Sequence, residues 1–211
     1  MRANASNAAW AKKLKVVDFT KYELIGWSYF SRQTYTSGTD VSKDFFTAGQ
    51  SGINGNLKAG QLPAGHHFLI QAIRFAPLLD GRETAAAAPA AGEIDGAFTD
   101  MKELVYDGIG ELFINDKPYG SWPLWMLCAG GGVTGVFQVP GTLTAPATSQ
   151  LSYAINGIPD PRAVYTLAVP IPLPPLTIVR FTTTWDAAKT LSVGNSPLEM
   201  VLDGQLLRPR Q

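Results

Sequence analysis

Taken two residues at a time, the stretch 176–185 separates its side chains onto two sides. Thr177, Val179, Phe181, Thr183 and Trp185 fall on one; Leu176, Ile178, Arg180, Thr182 and Thr184 fall on the other. A period of two is the signature of a strand with one buried face, and the first set is the more apolar toward its end. Residues 198–207 repeat the pattern, with Leu198, Met200 and Leu202 opposed to Glu199, Val201 and Asp203. Short β-branched and aromatic runs predict further strands over 23–32, 67–77, 110–114, 132–139 and 164–169. Helical periodicity is scarce. Ser6 is placed to cap a short helix through Trp10 and Leu14, and Asp100 to cap one turn over 101–105.

Between the runs lie turn signals. Asn54-Gly55, Asp80-Gly81, Asp95-Gly96, Asp107-Gly108, Asn156-Gly157 and Asp203-Gly204 adopt positive φ cheaply and mark tight turns. Many short strands punctuated in this way predict an all-β sandwich or barrel with long loops. Residues 82–97, rich in alanine, read as an exposed excursion between strands. Pro170, Pro172, Pro174 and Pro175 keep their segment extended and out of any helix or central strand. No internal repeat or interdomain linker breaks the chain. We expect a basic N-terminal arm over residues 1–20 and a single domain over 21–211.

Composition adds the question of partners. Hydrophobic residues make up 45% of the 211, enough for a core, while charged residues make up only 16%, against roughly 25% in ordinary soluble domains. A surface so poor in charge suggests cover by a partner, and a homo-oligomer is the expectation. The formal net charge is zero, so no global field draws the chain to nucleic acid or an acidic membrane. No stretch reaches the roughly 18 apolar residues of a membrane span. The start carries Arg2, Lys12, Lys13 and Lys15 without the apolar core of a secretory signal. With Trp10, these residues are candidates for docking on a neighbouring subunit. The single Cys128 leaves no internal disulfide.

Candidate chemistry is thin. His66 and His67 are the only histidines, and neighbours on an extended chain point to opposite faces. We expect neither a metal nor a catalytic centre there. The run Gly130-Gly131-Gly132-Val133-Thr134-Gly135 matches the dinucleotide-binding spacing, but a strand pattern follows where that site needs a helix. No Walker A sequence, no GxSxG elbow and no cofactor motif is present, and the acidic residues are scattered. The most conspicuous cluster is Trp122-Pro123-Leu124-Trp125-Met126-Leu127. It suits a core or subunit contact, or else a platform for sugar rings.

Three blocks carry a resemblance: AGQLPAGHHFLIQAIR at 59–74; LFINDKPY at 112–119, followed by Trp122-Pro123-Leu124 and the glycine run; and LDGQLLRPRQ at 202–211. Together, about a quarter of the chain resembles small virion structural proteins of tailed bacteriophages. The alanine-rich stretch at 82–97 departs from that pattern. The resemblance implies a jelly-roll-like antiparallel β-sandwich, located in the virion as a decoration, cement or minor capsid protein. It implies a major capsid protein or other virion subunits as partners, and no catalytic residues. The candidate interface is then Arg2, Trp10, Lys12, Lys13, Lys15, Trp122, Trp125, Pro172 and Pro174. The alternative is a carbohydrate- or ligand-binding β-sandwich module, as in a tail or adhesin domain, resting on Trp122 and Trp125. An enzyme of unrecognised type is the third class.

Overall fold

The computed structural model describes residues 21–47, 52–78, 83–84, 96–129, 131–137, 151–157, 164–191 and 194–210. They form strands β1 (Tyr22–Tyr35), β2 (Ser42–Phe45), β3 (His67–Pro77), β4 (Glu83–Thr84), β5 (Gly108–Ile114) and β6 (Lys117–Pro123), then β7 (Gly131–Phe137), β8 (Leu151–Gly157), β9 (Tyr165–Leu173), β10 (Val179–Trp185) and β11 (Ser196–Pro209). One helix, α1 (Gly96–Tyr106), precedes β5.

Two four-stranded antiparallel sheets carry the orders β1-β11-β3-β9 and β2-β10-β5-β6. Apart from the β5–β6 hairpin, successive strands of these sheets alternate between them. This is the double Greek-key winding of a jelly roll. Two excursions interrupt it, one between β3 and β5 and one between β6 and β9. They meet in a third sheet of order β4-β8-β7, against which α1 packs.

The core lies between the two large sheets. The alternation read from the sequence is what fills it: Val179, Phe181, Leu198, Met200 and Leu202 are fully buried, as are Phe68, Ile70, Ile73 and Phe75 of β3. On the opposite face of the β2-β10-β5-β6 sheet, Asp44, Thr182, Glu111 and Ser121 stand side by side in one cross-strand row. That face is an ordinary solvated one.

Several expectations need correction. Asp203-Gly204 is no turn. It sits inside β11 at a bulge, where a Cβ on Gly204 would lie 1.8 Å from the Leu69 carbonyl oxygen. Glycine is there because two backbones nearly touch. Asp100 is no cap either; it is buried inside α1, which starts at Gly96. Strand β10 begins at Val179 rather than 176. Leu176 has φ 63° in a turn tied by Thr177 Oγ1 donating to the Pro174 carbonyl at 2.7 Å. The sequence pattern does not predict the short β2, β4, β6 and β8. The β5–β6 hairpin turns on Asn115 and Asp116, at φ 48° and 63°, a two-residue turn without glycine. Most of the alanine-rich stretch, and the Ser6 helix, lie outside the described residues.

Candidate functional site

The sandwich has two flanks, each bounded by the outermost strands of its sheets. Strands β6 and β9 bound one. There the Trp122 indole N–H donates to the Tyr165 hydroxyl at 3.1 Å, and the Trp122 ring stacks on Phe181 at 6.5 Å and 10°. Gly120, two residues earlier on the same side of β6, leaves the room: a Cβ there would sit 2.4 Å from the Trp122 ring. Trp122 is therefore half-buried and clasps the two sheets together. Trp125 stands apart from it, on the 3-10 turn Leu124–Leu127, and is 50% exposed. The two rings do not make one open platform.

Strand β9 lies at its sheet's edge, which is where Pro170 and Pro172 are tolerated, since an edge strand leaves half its N–H groups without a ladder partner. Pro172 and Pro174 are exposed, and Val169 is 77% exposed. Tyr119 of β6 and Met126 beside Trp125 are also open to solvent. This flank thus presents apolar side chains while its backbone edge is blunted by proline. Of the residues singled out from the sequence, Trp122, Trp125, Pro172 and Pro174 fall on β6, β9 and the turns after them. Arg2, Trp10, Lys12, Lys13 and Lys15 lie outside the described residues.

The outer face of the β1-β11-β3-β9 sheet carries a shallow groove of about 440 Å³, lined by Ser28, Phe30, Arg32, Ile53, Arg74, Glu199 and Val201. Pattern reading missed it because its members come from four separate segments. Arg32 pairs with Glu199 at 2.6 Å, and Arg74 holds both carboxylate oxygens of Asp203 at 2.5 and 2.8 Å. Ser28 donates its hydroxyl to the same Asp203 carboxylate. With each guanidinium facing a carboxylate, the groove is charge-balanced and suits a polar protein surface better than an isolated anion.

The cysteine and the two histidines are at least partly shielded. Cys128 is buried, its S–H 3.7 Å from the Leu124 carbonyl, and burial pushes its thiol up to about 11. Such a thiol packs rather than attacks. His66 and His67 are half-buried at the mouth of β3, with neither Nδ1 hydrogen-bonded and Tyr22 edge-on to His67 at 6.3 Å. Burial holds both imidazoles below their ordinary range, helped at His66 by the Arg208 guanidinium and at His67 by His66. Among the described residues no three His, Cys, Asp or Glu side chains gather as a metal site would require. Gly131–Phe137 is a strand, so the glycine run leads into no helix. No protein-family model and no curated protein matches the chain.

Proposed function

We propose that this chain is a non-enzymatic structural subunit of a virion, a decoration, cement or minor capsid protein that binds a capsid shell through its own surfaces. Jelly rolls serve viral coats, and also lectins and cupins, so the fold alone does not choose among them. The observation that carries the reading is the β6–β9 flank. Val169 of β9 and Tyr119 of β6 are exposed, as are Trp125 and Met126 on the turn that follows β6, on a chain with only 16% charged residues. Apolar, aromatic and methionine side chains with few charges are the composition of protein–protein contact cores. The proposed partners are a major capsid protein or other virion subunits, together with further copies of the chain, and not nucleic acid or membrane. Among the described residues no helix is long and apolar enough to cross a membrane.

The test is particle composition. Particles purified on a density gradient and analysed by mass spectrometry should contain the chain in fixed stoichiometry to the major capsid protein. A chain found only in the soluble fraction would refute the proposal. The carbohydrate-binding alternative needs both tryptophans on one open face, whereas Trp122 is engaged with Phe181 and Tyr165.

A further inference from the structure

The opposite flank of the sandwich is bounded by β1 and β2. The upper part of β1 is already covered. Phe30 donates its N–H to Asn56 Oδ1 at 2.8 Å and accepts from the Asn56 N–H at 3.3 Å, while Asn56 Nδ2 donates to the Ser28 carbonyl at 2.8 Å. These bonds establish which residues turn their backbone groups outward. Ser28 and Phe30 do, so by strand alternation Gly26, Leu24 and Tyr22 do as well. Of these, the Tyr22 carbonyl accepts from Arg210 Nε at 3.1 Å. No described strand or loop backbone pairs with Leu24 or Gly26 on this side.

The other edges of the two large sheets are protected. Strand β9 has Pro170 and Pro172, β6 has Pro118 and Pro123, and β2 is four residues long. Short strands and prolines are the ordinary defences against edge pairing. The stretch Tyr22–Trp27 has no proline, and its one charge, Glu23, is tied to Arg208 at 2.5 Å.

We propose that this edge pairs with the same edge of a second copy, antiparallel about a two-fold axis at Leu24, joining two four-stranded sheets into one of eight. The register is self-complementary. Leu24 exchanges both N–H···O bonds with its own mate, and Tyr22 lies opposite Gly26. A Cβ on Gly26 would meet nothing within 4 Å, so the space over Gly26 is open; the Tyr22 ring, edge-on to His67 in the single chain, turns outward on pairing to lie over the partner's Gly26, the familiar cover for an edge glycine. Leu24, 37% exposed, gains its mate as an apolar neighbour. Asn56 ends the pairing beyond Gly26 by occupying Ser28 and Phe30. An isologous contact of this kind closes and does not propagate.

This assigns a surface to self-association, and it rests on the structural-subunit reading only in supposing that copies meet. The purified full-length chain should have twice its 22.7 kDa mass by light scattering. The Leu24 and Gly26 amides should exchange slowly with deuterium in the dimer and at least tenfold faster once it is diluted to monomer. Leu24→Pro removes a donor at the axis and should give a monomer with an unchanged β-type circular dichroism spectrum. Should that variant misfold, Leu24→Lys, which sets two like charges face to face, decides in its place. A chain monomeric at every concentration, or a dimer surviving the folded variant, overturns the pairing. So does a dimer whose Leu24 and Gly26 amides exchange as in the monomer. A monomer that still enters particles overturns the pairing alone, while a dimer absent from particles overturns the virion reading alone.

Discussion

The indole N–H of Trp122 donates a 3.1 Å hydrogen bond to the hydroxyl of Tyr165, and so joins the edge strand of one sheet to the edge strand of the other. Both rings also pack against the core. Tyr165→Phe removes only the hydrogen bond and should cost about 1 kcal/mol. Trp122→Ala removes the ring as well and should cost about 2–3 kcal/mol, the lower range for a large aromatic because Trp122 is only half-buried. Urea unfolding midpoints at constant m-value check both. Equal, negligible losses would mean that the clasp does not hold the flank closed.

Two glycines on neighbouring strands should respond oppositely to the same added methyl. Gly204→Ala drives a Cβ against the Leu69 backbone at the β11 bulge, and should destabilise by about 3 kcal/mol or prevent folding, as backbone clashes in packed regions do. Gly26→Ala meets nothing of its own chain within 4 Å and lies in extended backbone, so in the monomer it should be neutral or slightly stabilising, within about 1 kcal/mol. Thermal melts of the two variants separate the cases.

The exposed apolar residues of the β6–β9 flank should matter for assembly and not for folding. Trp125→Ala and Val169→Ser should change unfolding free energy by no more than about 0.5 kcal/mol, as surface substitutions do. Their incorporation into particles should fall several-fold, read as the ratio of variant to major capsid protein in purified particles. Full incorporation of both would remove this flank from the interface.

Acid should weaken the fold through His66 and His67. Both imidazoles are held below the ordinary value of 6.5, mainly by burial. Below that value the unfolded chain binds more protons than the folded one, so stability rises with pH there. The contribution is complete above 6.5 and is lost as pH falls through it, levelling off once the folded-state imidazoles also protonate. The double variant His66→Gln, His67→Gln should cost little at about pH 7.5 and lose less than the native chain between about pH 7.5 and pH 5.5, the range in which an ordinary histidine titrates. Identical pH profiles of the denaturation midpoint would show that these rings carry no linkage.

The core strands were legible in the sequence because burial on one face imposes a period of two. Residues 67–77 coincide with β3, and Leu198, Met200 and Leu202 of β11 are all fully buried as their alternation required. The prolines at 170 and 172 correctly excluded a central strand, since each removes a donor that an inner strand must use. What alternation could not reveal were strands with no buried face of their own. Lys117–Pro123 has no fully buried residue, so nothing in it alternates. Asp203-Gly204 misled for a related reason: a glycine required by a close backbone approach looks the same as one required by a turn.

The sequence by itself determined that the chain is a β-protein, and which face of its main strands is turned inward, because hydrophobic burial acts position by position along a strand. Only the tertiary structure decided the jelly-roll order, the separation of Trp122 from Trp125, the pairing of Arg32 with Glu199, and the open edge at Leu24. Each of these depends on residues tens to nearly two hundred positions apart, or on which strand lies outermost. That is settled by how the sheets wrap around one core, and no local pattern records it.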